Sequence, residues 1–372
     1  GTAWTEVGDL NTARSYGTAA FGTQTATIHA GGDAGPGSLA LTEQWDGSSW
    51  TEVGDLLTGI RYTQGAGSVS SGIQMFGYTT AKSAVTQEWN FSSTLGAGTW
   101  ASGEDVNTAR RETSGAGTQT AGLMIGGQGP DAGIVAVVES YDGTNWSEVG
   151  DINTARGNAA AGGTSTAAIY MAGGSPVKDE TETWNGTSWT EVGDLNDSRQ
   201  YPGGCGTTTA ALCAGGHEPG DATKAVSEEY NGTAWTEGNN LNTARWQLSG
   251  SGTQTAGLVS GGNLTDVMDN SEEYDGSSWA EGNDLNTARR NAHACGLQTA
   301  ALHIGGLTRT GKTEEYDGTS WTEIADLSVV RNGHAAAGTT SSAFAAAGFN
   351  GTANIATTEE FDLQQNIKVL TD

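Results

Sequence analysis

Apolar and polar positions recur along the chain in a short-period pattern, and the stretch from Arg289 to Trp321 displays it in full. Small residues alternate from Asn291 to Gly296 and predict a first strand, a, ended by a turn at Leu297-Gln298. Thr299 to Ile304 is an apolar run, strand b, closed by Gly305-Gly306. Leu307 to Lys312 reads as a loop, Thr313 to Tyr316 as strand c, and Ser320 to Glu323 as strand d. Between c and d, Asp317-Gly318 is a strong hairpin signal, because a type I′ turn holds both central residues at positive φ. No 3.6-residue period interrupts these segments, so the pattern predicts an all-β chain.

The same unit recurs along the whole length. Trp4, Trp50, Trp100, Trp146, Trp189, Trp235, Trp279 and Trp321 mark it at intervals of 46, 50, 46, 43, 46, 44 and 42 residues. Ten or eleven residues after each stands an arginine: Arg14, Arg61, Arg110, Arg156, Arg199, Arg245, Arg289 and Arg331. A Gly pair or its degraded form follows 16 or 17 residues later, and an aromatic residue 11 to 15 residues beyond that. The aromatic precedes the next Trp by 5 residues, except for the interval of 11 between Trp89 and Trp100. Constant segments read as packed strands, and the elastic segment after the Gly pair as a surface loop that tolerates insertion.

A four-stranded sheet with two apolar faces buries both only between neighbours, and radial stacking into a propeller provides them. Eight Arg-to-aromatic units predict eight blades, with seven as the alternative count. The last unit ends at Phe361-Asp362 without a Trp, and joining it to Gly1 restores the five-residue interval to Trp4. The N-terminal segment around Trp4 is therefore expected to be the outer strand of the last blade. Residues 1–362 are expected to form a single domain, with 363–372 a tail. Strand parity puts the b–c and d–a loops on one face and the a–b and c–d turns on the other. Asn90 to Thr99 is the one long excursion on the turn face.

Composition narrows the function classes. The formal net charge is −27, and eight of the 11 Arg are committed to the repeat position. Free basic surface is scarce, which disfavours nucleic acid and anionic membranes as partners. No apolar run of 18 residues occurs, so no transmembrane helix or membrane insertion is expected. The cysteines, Cys205, Cys213 and Cys295, are too few for a disulfide scaffold. Cys205 and Cys213 fall in neighbouring strands of one repeat, as two small buried residues or as a bridge.

The Gly doublet ending strand b, the aromatic about a dozen residues on and the Trp after it resemble the kelch repeat. The resemblance covers essentially the whole chain and implies a β-propeller, in a family whose members mostly bind partners and include few enzymes. Near-verbatim copies such as Thr-Glu-Val-Gly-Asp-Leu-Asn-Thr-Ala-Arg are similar to repeat-rich propellers of marine phage and bacterial surface proteins.

Each candidate site has a structural alternative. Trp and aromatic residues at every repeat read as blade-to-blade packing rather than a sugar platform. Trp246 lies outside the pattern and is the candidate ligand contact. The recurrent Arg pair with carboxylates in a structural ring, their partners being the preceding Asp or the Glu two residues before the strand-c aromatic; the alternative is a cationic mouth gripping an anion. His293 and His334 occupy nearly matching positions in adjacent a strands and read as strand-surface imidazoles rather than a metal pair. Asp33, Asp131, Glu218, Asp221, Asp266 and Asp269 lie in the elastic loops, where calcium would need six to eight oxygens. None reproduces a recognised calcium-loop spacing, so these loops are read as a partner-contact surface.

No catalytic constellation is recognisable, and no metal or cofactor is assigned. The expectation is a non-enzymatic binding or structural module, extracellular or on a virion surface, attaching to a glycan or protein partner. The alternative is an enzyme resembling the galactose-oxidase branch of kelch propellers, a copper oxidase that requires His and Tyr ligands and a Tyr joined to a Cys. Tyr201, four residues from Cys205, is the one tyrosine placed for that role.

Overall fold

A computed structural model describes residues 6–363 except 17, 36, 69–70, 91–97, 175, 219, 221–222 and 308–309. Among the described residues there is no helix, and the strands form eight antiparallel sheets of propeller type, the number the repeat predicts. Seven sheets have four strands and one has three. The chain divides into two compact units, one within the first 96 residues and one from 97 to 364.

The first unit holds a four-stranded sheet, Ala19–Thr23, Ala26–Ala30, Thr42–Trp45 and Trp50–Val53, and a three-stranded sheet, Gln64–Gly67, Ser71–Tyr78 and Lys82–Asn90. The second unit holds six sheets, in each of which strands a to d are neighbours in order. Their inner strands are Ser114–Thr118, Ala160–Thr164, Gly203–Thr207, Ser249–Thr253, His293–Leu297 and Ala335–Thr339. Each packs against the next, and the last packs against the first, so these six sheets close on themselves.

Side-chain size explains the closure. At the centre only small residues fit: a Cβ on Gly250 would lie 2.4 Å from the Gly204 nitrogen, and one on Gly115 2.4 Å from the Ala336 carbonyl oxygen. Farther out, six buried apolar clusters fill the gaps between successive sheets. Trp184 and Trp189 pack on Leu123 and Ile125 of the sheet before, and Tyr316 and Trp321 pack on Leu258. Phe344 of the last sheet meets Tyr141 and Trp146 of the first and completes the set.

The closing strand differs from the expectation. The outer strand beside Thr358–Asp362 is Thr99–Ser102, with Phe361 opposite Trp100 and Asp362 opposite Thr99. The place expected for the N-terminal segment is therefore taken, and Trp4 itself lies outside the described residues. The 11-residue interval between Trp89 and Trp100 is the trace of this exchange, because the strand that would complete Lys82–Asn90 pairs with the last sheet instead.

The c–d hairpin also differs in detail. Tyr316 pairs with Trp321, which leaves Asp317 to Ser320 as a four-residue loop. Only Gly318 has positive φ there, at 88°. The Asp317 carboxylate accepts the Thr319 and Ser320 amides, both at 2.8 Å, and this side-chain cap replaces the two-residue type I′ turn. The register it sets brings the aromatic and the Trp face to face.

Candidate functional site at the mouth of the second unit

The d–a connection of each repeat is built around its arginine. Arg110, Arg156, Arg199, Arg245, Arg289 and Arg331 are fully or almost fully buried and pair with Glu139, Glu182, Glu228, Glu272, Glu314 and Glu359. Burial pulls the arginine pKa down at Arg110, Arg245, Arg289 and Arg331, and the paired glutamate pushes it back. The same glutamates take backbone amides of the connection: Asn196 N–H donates to Glu228 at 2.7 Å, and the Asn196 side chain bridges Glu228 and the Trp235 carbonyl. The Asp of the connection caps backbone instead of arginine, as where Asp194 accepts the Thr181 amide at 3.2 Å. These guanidiniums are structural, and none faces solvent to grip an anion.

In the first unit Arg14 pairs with Glu43 in the same way. Arg61 departs because Gln87 stands where the glutamate should be. It pairs with Asp33, and its side chain is 26% exposed. Asp33 also accepts the Gly35 amide at 2.7 Å, so this loop carboxylate is already engaged.

Two residues after each arginine the backbone turns left-handed. Glu112, Asn158, Tyr201, Gln247, Asn291 and Gly333 have φ between 53° and 59°. Their peptides form a closed belt. Asn158 N–H donates to the Glu112 carbonyl at 3.0 Å, Tyr201 to Asn158 at 2.7 Å, Gln247 to Tyr201 at 3.0 Å, Asn291 to Gln247 at 2.9 Å and Gly333 to Asn291 at 2.9 Å. Thr113 N–H closes it on the Gly333 carbonyl at 3.3 Å. Left-handed backbone costs a non-glycine residue about 1 kcal/mol or more, and such positions concentrate at functional sites. Sequence reasoning missed this ring. Its signal is variability, since the position carries Glu, Asn, Tyr, Gln, Asn and Gly in otherwise near-identical repeats.

The belt rims a cavity of about 60 Å³ whose lining continues to Gly115, Ala161, Gly204, Gly250, Ala294 and Ala336. Asn158 Nδ2 donates to Glu112 Oε2 at 3.1 Å, and Arg111 stands 3.9 Å from Glu112. Burial raises the Glu112 carboxyl pKa, against the opposing pull of Arg111 and Asn158. Burial, with Glu112 second, pushes the Tyr201 phenol up to about 12. Asn158 Oδ1, Gln247 Oε1 and Thr113 Oγ1 are buried without a hydrogen-bond partner.

The b–c loops leave the same end of the sheets. Trp246 is partly exposed there, its backbone bridged to Asn263. Its ring lies 5.4 Å from Tyr201, edge to face, and 5.3 Å from His217. By contrast Trp146, Trp189, Trp235, Trp279 and Trp321 are buried, each against the aromatic of its own sheet at 4.8–5.5 Å. Trp50 and Trp100 are partly buried in the same kind of pair, with Trp45 and Phe361.

The loop carboxylates do not gather. Glu218 pairs with Lys224 at 3.0 Å and accepts the Ser198 hydroxyl at 3.2 Å. Asp131 and Asp266 are exposed, Asp269 is partly exposed, and Asp221 lies outside the described residues. Among the described residues no three His, Cys, Asp or Glu side chains are grouped as metal ligands. His293 and His334 are neighbours, ring centroids 5.4 Å apart, but His334 is fully buried rather than on a strand surface, and neither of its nitrogens has a partner. The three cysteines are free and buried, and burial pushes each thiol up to about 12.

No protein-family model matches the chain, and no curated protein matches it significantly.

Proposed function

We propose that this chain is a kelch-type propeller working as a non-enzymatic binding module, on a virion or cell surface. Attachment to a glycan or protein partner runs through the variable b–c loop face of the second unit. The observation that supports it is Trp246. It is the one described tryptophan of that unit outside the repeat positions, and it is partly exposed beside Tyr201 and His217. An amphipathic aromatic group on a loop face is suited to stacking on a sugar ring or anchoring a partner side chain.

The test is a glycan-array and cell-surface binding screen with the intact chain, Trp246→Ala and variants with exchanged b–c loops. Trp246→Ala is expected to lose at least tenfold in affinity with an unchanged melting temperature. Full binding by both the Trp246 and the loop-exchanged variants would refute the reading. Stoichiometric copper in the purified protein would replace it with a copper oxidase similar to galactose oxidase.

A further inference from the structure

We propose that the first unit is an assembly surface, through which three copies of the chain join head to tail into a ring of six sheets. Its two sheets are joined by the same bonds as neighbouring sheets of the second unit. Tyr62 N–H donates to the Tyr16 carbonyl at 2.7 Å, as Tyr201 N–H does to Asn158. Gly32 N–H donates to the Ile60 carbonyl at 2.8 Å, as Gly173 N–H does to Arg199. In the second unit six sheets joined in this way make a full turn. Two such sheets are therefore one third of a turn.

Burial marks the faces that lack a neighbour. In the second unit strand c begins with a buried residue, as at Thr181, Thr313 and Thr358, which the next sheet covers. The equivalent in the three-stranded sheet, Thr86, is exposed. On the same face Ala66 is exposed and Ile73 and Met75 are half-buried, whereas their equivalents Cys205, Leu212 and Ala214 are all buried. The opposite face of the first sheet repeats the contrast. Thr27 and His29 are half-buried there, and their equivalents Ala301 and His303 are fully buried. No described strand pairs with the far side of Lys82–Asn90, and such an open edge is a template for another chain. Among the described residues, six of the nine exposed large apolar side chains, Phe76 and Val85 included, fall in the first unit. That concentration marks an interaction surface.

A further copy fits these faces, because the neighbours they lack are the chain's own repeats. In the second unit the indole N–H of the outer-strand Trp crosses to the hydroxyl that begins strand c of the sheet before. Trp100 reaches Thr313 at 3.2 Å, and Trp146 and Trp235 reach Thr358 and Thr181 at 3.0 Å. No described sheet of the first unit precedes that of Trp50, whose indole bonds the Gly8 carbonyl at 3.0 Å instead. Head to tail, Trp50 of one copy meets Thr86 of the next. The connection into the first sheet already holds the repeat geometry, with Asn11 N–H on Glu43 at 2.7 Å as Asn107 N–H is on Glu139. Trp4, outside the described residues, stands just before that connection with the outer-strand signature, so each copy brings the strand that Lys82–Asn90 lacks. A head-to-tail contact that turns the chain by one third closes as a threefold ring. Phe76 stands where Gly126, Ala172, Gly261 and Ala347 stand in the second unit. Its bulk makes the contact between copies looser than those within one chain.

The assembly does not depend on the loop-face reading, and its test separates the two. The mass of the intact protein is measured by light scattering across a dilution series. A trimer of 38.0 kDa chains is expected at high concentration, dissociating on dilution. Met75→Glu and Thr86→Arg should each abolish it, and Trp246→Ala should leave it unchanged. Thr86→Arg serves should Met75→Glu fail to fold, because Thr86 is exposed within a single copy. A monomer at every concentration, a dimer, or an open polymer would overturn the assignment. So would a trimer that survives in folded Met75→Glu or Thr86→Arg protein, or one lost in Trp246→Ala.

Discussion

Phe361 lies against Trp100 with ring centroids 5.2 Å apart, and the two are partners across one sheet. This pair joins the two ends of the second unit, so the six-sheet set depends on a strand drawn from its own start. A crosslink can test it. Thr99 faces Asp362 in the same ladder, and both are exposed. Facing Cα atoms in antiparallel strands are about 4.5–5.5 Å apart, within disulfide reach. The Thr99→Cys, Asp362→Cys protein is expected to oxidise readily and to melt higher oxidised than reduced. Closing so long a loop is worth up to about 5 kcal/mol in the chain-entropy account. Calorimetry with and without reductant reads it, and failure to crosslink would remove Thr99–Ser102 from the last sheet.

The arginine ring is predicted to act on stability. Glu228→Ala leaves the fully buried Arg199 without its carboxylate and should cost about 3–5 kcal/mol. Arg61→Ala removes a side chain that is 26% exposed and paired outside the repeat pattern, and about 1 kcal/mol is expected. Denaturant unfolding of the two variants should keep this order. Equal and small losses would return the arginines to the role of anion grip.

Much of this architecture is legible in the sequence, because it rests on patterns local to one repeat. Strand order and carboxylate partners for the repeat arginines follow from spacing and residue type, but spacing leaves each partner open between the preceding Asp and the strand-c Glu, and only the structure selects the Glu. The closing strand does not follow, because Trp4 and Trp100 carry the same outer-strand signature and only the interval after Trp89 sets one apart. The cavity rim escapes for another reason. Its left-handed backbone goes with hydrogen bonds between neighbouring repeats rather than with one residue type, so it shows in the sequence only as a variable position in otherwise near-identical repeats. Arg61 shows a third limit, since replacing glutamate by Gln87 redirects it to Asp33, a loop carboxylate that reads as free.

The inner hairpins predict a sharp contrast between glycines. Gly252 has φ of 100°, and a Cβ there would lie 2.2 Å from the Ala256 carbonyl oxygen. Gly133, in a b–c loop, has no atom within 4 Å of its added Cβ. Gly252→Ala combines backbone strain with a clash against backbone and should cost roughly 1–3 kcal/mol or more. Gly133→Ala should change stability by less than about 0.5 kcal/mol. A comparable melting temperature for both variants would mean that the inner turn relaxes freely.

Acid sensitivity is predicted from three histidines of the second unit, His303 and His334 fully buried and His293 partly buried. His293, His303 and His334 all lie below the ordinary imidazole pKa of 6.5, with burial the first cause in each case. His293 is lowered to about 4. His303 is also opposed by Arg289, and His334 by His293 and Arg331. A lowered pKa means that the unfolded chain takes up the proton first. The stabilising contribution is therefore complete above pH 6.5 and is lost as pH falls from there towards 4. Between pH 7 and pH 5 His293 should account for a loss of at most about 2 kcal/mol, less to the extent that water reaches its ring. His334→Leu removes an imidazole with two unpartnered nitrogens and should flatten the profile while leaving stability at pH 7.5 nearly intact. Calorimetric melting across this range decides it, and a profile equally steep in the variant would show that His334 does not sense the proton.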